Sequence, residues 1–228
     1  MSNFFAFPTV NSWEEDVFQL TGAGIATVVV LMAACIVLAL VFQSKEKKSR
    51  RFSVKQLTFS AMAMALAMVL SMFKLFELPM GGSVTVCSMI FITLVGYVYG
   101  VRAGVMTGFA YGLLQFVTDP VFYTIPQMIV DYPLAFGALG LSGFFCNRKW
   151  GLQTGYVLGI LGRLIFAWLS GVIFFASYAE GSGMGPALYS LAYNGSYIAV
   201  EGVITLVLIS LPPVSKALAT VKRIANEQ

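Results

Sequence analysis

Histidine is absent from the 228 residues of this chain. With it go imidazole-based catalytic triads, HExxH zinc sites and most proton-shuttle chemistry. Charge is scarce as well: Asp, Glu, Lys and Arg make up 11% of the residues, against about 25% in a soluble domain. With 58% hydrophobic residues and a mean hydropathy of +0.84, the composition is that of an integral membrane protein. The three cysteines, Cys35, Cys87 and Cys146, lie in apolar stretches without CxxC spacing, where a free thiol serves as a small hydrophobe. No GxxxxGK[ST] phosphate loop is present, so this sequence carries no ATP-hydrolysing site of its own. It also shows no nucleophile motif and no metal-ligand spacing. Catalytic residues, a metal and a cofactor are therefore not expected.

What the chain does have is a series of apolar runs. Residues 1–20 are polar to mixed, with Glu14, Glu15 and Asp16, and lack the basic start of a secretory signal. Runs long enough to span a bilayer follow at Thr21 to Phe42, Val54 to Phe76, Val84 to Gly100, Ala103 to Val117, Gln127 to Cys146, Gly155 to Tyr178 and Leu188 to Leu211. The pattern predicts an all-α polytopic membrane helix bundle. Its expected parts are an extracellular segment (1–20), a first transmembrane helix (21–43), a basic cytoplasmic loop (44–53), a six-helix membrane domain (54–215) and a basic cytoplasmic tail (216–228).

Threading these spans puts 12 of the 14 basic residues on one side: the Lys45–Lys55 cluster, Arg102, Arg148, Lys149, Lys216, Lys222 and Arg223. Glu14, Glu15, Asp16, Glu77, Asp119 and Glu180 fall on the other. By the positive-inside rule the N-terminus is expected outside and the C-terminus in the cytoplasm. The net charge of +4 is then a topology signal. It does not mark a nucleic-acid partner, and the lipid bilayer is the expected surrounding.

Two helical stripes of small residues stand out. Gly100, Gly104, Gly108 and Gly112 recur every four residues, on one face, where missing side chains let a neighbouring backbone approach. Internal packing is the expectation for them. Ala61, Ala63, Ala65 and Ala67 form two overlapping AxxxA pairs, flanked by Met62, Met64, Met68 and Met72. That face suits either packing inside the bundle or docking of another membrane protein.

Polar groups gather toward the expected outer side. Asp131 lies about one helical turn inside its span, at a cost of about 2.5–3.5 kcal/mol on insertion scales if it is left alone. Gln127 sits one turn away on the same face, and Tyr132 is adjacent. Tyr189, Tyr193, Tyr197 and Glu201 recur every four residues on the last span, with Asn194 beside them, and Phe174, Phe175 and Tyr178 close the sixth. Carboxylate, amide and rings together suit a flat cationic ligand. An interfacial aromatic belt with structural polar pairs is the alternative. Arg163 and Glu201 lie at comparable depths, which allows an ion pair between them. An intramembrane hydrolase would need Asp131 and Glu201 as an acid–base dyad, but nothing else of such an enzyme accompanies them.

Leu78-Pro79-Met80-Gly81-Gly82-Ser83-Val84, Gln127 to Phe136 with Asp131-Tyr132, Arg163 to Gly171, and Tyr189-Ser190-Leu191-Ala192-Tyr193-Asn194 together resemble the thiamine-specific S component of energy-coupling factor (ECF) transporters. The resemblance covers roughly residues 54–215. It implies a six-helix S-component core, with 21–43 as one extra N-terminal transmembrane helix, in a bacterial plasma membrane. It also implies an outward-facing thiamine site, a partner transmembrane coupling subunit and two cytoplasmic ATPases. Ala61, Ala63, Ala65 and Ala67 match the family's docking helix. By position the family's substrate contacts fall on Asp131, Tyr132, Gly171, Tyr189 and Asn194. Gln127, Phe175 and Tyr193 complete the expected site. Asn194 and Gln127 are expected to hydrogen-bond the heterocycle, and Tyr132 and Phe175 to flank its rings. The chain departs from the family pattern at Ala167 in place of a histidine, Phe175 in place of a tryptophan, and Asp131 in place of a longer glutamate. A thiamine precursor or other heterocyclic vitamin is thus the alternative cargo, and a structural membrane protein the alternative class.

Overall fold

The computed structural model describes residues 6–10, 16–23, 26, 52–80, 82–119, 121 and 123–227. Nearly all of the expected first transmembrane helix and most of the basic loop lie outside the described residues. Before them, β1 (Ala6–Val10) and β2 (Asp16–Leu20) pair antiparallel, Ala6 opposite Leu20.

The bundle begins with α1 (Val54–Ser71). Ser53 starts it with a reciprocal cap: its Oγ accepts from the Gln56 N–H at 3.2 Å, and Gln56 Oε1 accepts from the Ser53 N–H at 3.1 Å. The helix does not run on to Phe76 as the apolar pattern implies. The chain turns at Met72 into a hairpin of β3 (Lys74–Glu77) and β4 (Ser83–Thr85). A short α2 (Met89–Tyr99) follows, and Gly100, at φ +89°, redirects the chain into α3 (Val101–Thr118). Next come α4 (Ile125–Phe145), α5 (Gly151–Phe174) and α6 (Pro186–Ser210).

Four of these helices, α1, α4, α5 and α6, are long and apolar enough to cross a membrane. Exposed Met106, Leu161, Ile165, Val203 and Val207 form an apolar outer surface. The all-α, multi-pass membrane architecture expected from the sequence is therefore the one observed.

The residues expected as a basic tail are instead helical. In α7 (Pro212–Asn226), Pro212 and Pro213 open a new helix just after α6 stops at Ser210. Lys55 Nζ donates to the Ile224 and Glu227 carbonyls at 2.8 and 2.5 Å, satisfying acceptors at the helix C-terminus. Lys222 donates to the Cys146 carbonyl, and its ammonium lies 3.8 Å from the centre of the Tyr97 ring. α7 thus crosses the basic end of the bundle, opposite the β3–β4 hairpin.

Two irregularities shape α4. Pro133 lacks an N–H and crowds the preceding turn, and the helix widens to i→i+5 bonding over Val130–Leu134. It then tightens into a 3₁₀ helix over Ala138–Phe145. Three residues per turn put Gly137, Gly140 and Gly143 on one face. That face meets the four-residue glycine stripe of α3. A Cβ on Gly104 would lie 2.8 Å from Gly140 Cα, one on Gly108 3.0 Å from Gly137 Cα, and one on Gly143 2.6 Å from Val101 Cα. The rises match: six residues at about 2.0 Å and eight at about 1.5 Å both cover about 12 Å. The expected internal packing is observed for Gly104, Gly108 and Gly112, whereas a Cβ on Gly100 would meet nothing within 4 Å and its positive φ serves the turn.

Candidate functional site

At the hairpin end, α3, α4, α5 and α6 part around a cavity of about 580 Å³. Asp131, Tyr132, Gly171, Phe175, Tyr189, Tyr193 and Asn194 all line it, so seven of the eight expected substrate residues converge. Gln127 does not. It is fully buried behind Asp131, and its side-chain amide is used up by the protein. Nε2 donates to Asp131 Oδ2 at 2.6 Å and to the Val121 carbonyl at 3.1 Å, while Oε1 accepts from the Tyr123 N–H at 3.0 Å. The expected hydrogen bond from Gln127 to a heterocycle is replaced by one that fixes the carboxylate.

The wide turn of α4 aims Asp131 and Tyr132 at the cavity. Tyr132 OH donates to the Asp119 carbonyl at 2.9 Å and accepts from the Val121 N–H at 2.8 Å. Its ring meets Phe116 edge-on at 5.1 Å. On α6, Tyr189 and Tyr193 lie nearly parallel at 6.5 Å, and Tyr197 meets Tyr193 edge-on at 5.9 Å. Asn194 is held in place on both sides. Nδ2 donates to the Ser190 and Ala167 carbonyls at 3.1 and 3.3 Å, and Oδ1 accepts from Tyr197 OH at 2.9 Å. Gly171 permits the close approach of α5 and α6, since a Cβ there would lie 2.8 Å from Ser190 Cβ. Phe175 closes the mouth edge-on to Tyr123 at 5.2 Å, and Tyr123 OH shares a 2.9 Å hydrogen bond with Tyr178 OH.

Arg163 also lines the cavity, with its guanidinium 4.3 Å from the centre of the Phe136 ring. The ion pair allowed by the sequence does not form. Glu201 is bonded to Thr85, Ser88 and Met89 instead, and among the described residues Arg163 has no carboxylate within ion-pair distance. Asp119, Gln115 and Met80 are further lining groups that were not among the expected contacts. Asp119 lay in plain view as the acidic stop before α4, but its approach to the cavity depends on the fold. With Asp119 and Asp131 against Arg163, the lining carries one more negative than positive group.

Of the alanine stripe, Ala63 and Ala67 are buried inside the bundle, whereas Ala61 and Ala65 are exposed on α1. Cys87 and Cys146 are free and half-buried, and Cys35 lies outside the described residues. Among the described residues no cluster of acidic or cysteine side chains is arranged to hold a metal ion.

Residues 57–220 match the family profile described as Thiamine transporter protein (Thia_YuaJ). The chain is 34% identical over 166 residues to the thiamine transporter ThiT of Bacillus subtilis, an alignment covering 67% of this chain and 84% of that relative. It is 26% identical over 129 residues to the thiamine transporter ThiT of Lacticaseibacillus paracasei, covering 51% of this chain and 60% of that one. The solved structure of ThiT from Listeria monocytogenes has a similar fold, with a TM-score of 0.59 at 27% identity, covering 69% of this chain and 94% of that chain. The profile takes in α2 to α6 entire and nearly all of α1, cavity included: the chain belongs to the thiamine transporter protein family, whose members are membrane transport proteins and not enzymes.

Proposed function

We propose that this protein is the substrate-binding S component of an ECF-type uptake transporter, capturing thiamine at an outward-facing site. The observation that carries the reading is Asp131, a carboxylate within a membrane helix, held by Gln127 at 2.6 Å on the wall of an aromatic cavity. A volume of about 580 Å³ falls within the usual small-molecule range of about 300–1,000 Å³. Asp131 neutralises the thiazolium charge, Tyr132 and Phe175 flank the rings, and the rigid amide of Asn194 sets a polar edge. Gly171, Tyr189 and Tyr193 shape the remaining wall.

The basic end faces the cytoplasm and the hairpin end faces out, in a bacterial plasma membrane, with the N-terminus outside and the C-terminus inside. Uptake needs energy that this sequence has no phosphate loop to supply. A transmembrane coupling subunit and two cytoplasmic ATPases provide it. Of the four stripe residues, Ala61 and Ala65 are the exposed pair and carry the docking contact. Ala63 and Ala67 pack the bundle instead. A precursor or another heterocyclic vitamin is the second cargo reading, favoured by the smaller Ala167 on the cavity wall.

Thiamine titration of the purified protein in detergent, read by calorimetry or by quenching of Trp168, tests the proposal. Thiazole and pyrimidine precursors serve as competitors. One-to-one thiamine binding is expected, and Asp131→Asn should weaken it by about 10- to 100-fold, the worth of a charged partner at about 1.5–3 kcal/mol. Binding of a precursor alone changes the cargo. An Asp131→Asn protein that melts earlier yet binds thiamine as before would make the carboxylate a packing group and sink the proposal.

A further inference from the structure

Glu201 is a carboxylate in a membrane helix, 3% exposed, that does not line the cavity. A buried charge of this kind is costly without partners. Its partners here are not cations. Oε2 accepts from Thr85 Oγ1 at 2.6 Å and from the Thr85 N–H at 3.3 Å, while Oε1 accepts from Ser88 Oγ at 3.2 Å and from the Met89 N–H at 3.3 Å. All four donors belong to Thr85–Met89, the link between β4 and α2. Ser88 makes no side-chain cap of its own on α2, so a carboxylate from α6 does the capping. Within the link, Cys87 sits at φ +51°, a backbone conformation that residues with a side chain avoid and that the surroundings must hold.

The far end of the same hairpin rests on α6 as well. A Cβ on Gly82 would lie 3.0 Å from Tyr197 Cγ, and Tyr197 lines the cavity and donates to Asn194. Tyr197 and Glu201 are one turn apart on one face of α6. The hairpin is thus fastened to α6 at tip and root, and its tip carries Met80 to the cavity wall. We infer that Glu201 is a positioning residue for ligand retention: by holding Thr85–Met89 it seats the β3–β4 hairpin over the cavity and sets how fast ligand leaves. The inference rests on the binding role proposed above.

The test uses the full chain in detergent, with thiamine as the probe and Trp fluorescence in a stopped-flow instrument, alongside amide hydrogen exchange of residues 83–90. In Glu201→Gln, exchange at Thr85 and Met89 should quicken. The thiamine dissociation rate should rise about tenfold with little change in association, the pattern of a lost retaining contact. The pair Thr85→Val with Ser88→Ala removes the side-chain donors from the other side, should act in the same direction, and serves if Glu201→Gln does not fold. Faster exchange with an unchanged dissociation rate would make Glu201 structural only and overturn the inference. Unchanged exchange would overturn the clamp itself. If the wild type does not bind thiamine, the binding role fails and retention with it, while exchange still reports on the clamp separately.

Discussion

One helix, α4, takes part in two regions built by opposite means. Along its seam with α3, glycines at intervals of three meet glycines at intervals of four, and backbone touches backbone. Where it faces α5 and α6 near the hairpin, rings and polar groups surround open space. Lipid tails are as apolar as leucine, so no hydrophobic force pulls membrane helices together, and close packing of small residues must do it. At Gly104, Gly108, Gly140 and Gly143 the seam has no room for a side chain. The cavity wall has room, and there the chemistry of each group matters more than its bulk. A substitution in the seam should therefore cost the fold, and one in the cavity should cost the ligand.

Gly140→Leu tests the harsher half. Any Cβ at Gly140 falls onto the Gly104 carbonyl and the Val105 nitrogen, and backbone cannot yield as a side-chain tip can. The variant is expected to give no monodisperse protein on size exclusion; a well-folded product would show the seam to be adjustable. Ala61→Leu with Ala65→Leu, on the exposed face of α1, separates fold and binding from transport. Thiamine binding in detergent should stay as in wild type, while uptake by cells carrying the coupling module falls to background. The same change at the buried Ala63 and Ala67 should behave as a seam lesion.

Gln127→Leu asks how much the cavity depends on a group that never touches it. Without the Nε2–Asp131 bond the carboxylate loses its orientation, and affinity should drop about tenfold, or about 1.4 kcal/mol, with the melting temperature of the ligand-free protein falling far less than for a seam variant. An unchanged affinity would mean Asp131 needs no support. Phe175→Trp is the mildest. A larger ring at the mouth is worth about 0.5–1.5 kcal/mol, so thiamine should bind a few-fold tighter by calorimetry.

The legible parts of this molecule were those set by composition and long periods. Apolar runs mark α1, α4, α5 and α6 as spans, and an acidic group one turn inside a span marks the cavity that Asp131 lines. Local chemistry was harder to read. Phe73, Leu75 and Phe76 continue an apolar run whether they form helix or strand, so the apolar pattern overstates the length of α1. Pro212-Pro213 ends one helix and starts another, and long-range contacts with Lys55, Tyr99 and Cys146 hold the second in place. Gly137, Gly140 and Gly143 have a period of three, which is invisible to a search for α-helical stripes. Gln127 and Asp131, four apart, share one face, but sequence does not say which of two neighbours takes the front. Depth counted in residues cannot pair Arg163 with Glu201, because the donors that claimed Glu201 come from a link with no sequence period.

The wide turn at Val130–Leu134 makes α4 a helix with a set phase. Each α-helical residue rotates the chain by about 100°. The turn absorbs one surplus residue between the carboxylate and the glycine face, so that both point where they must at once. Wound as ordinary α-helix, the same residues would swing one face away from the other by about a quarter turn. The surplus residue therefore sets direction rather than length: it lets the carboxylate and the glycine face keep separate aims along one helix.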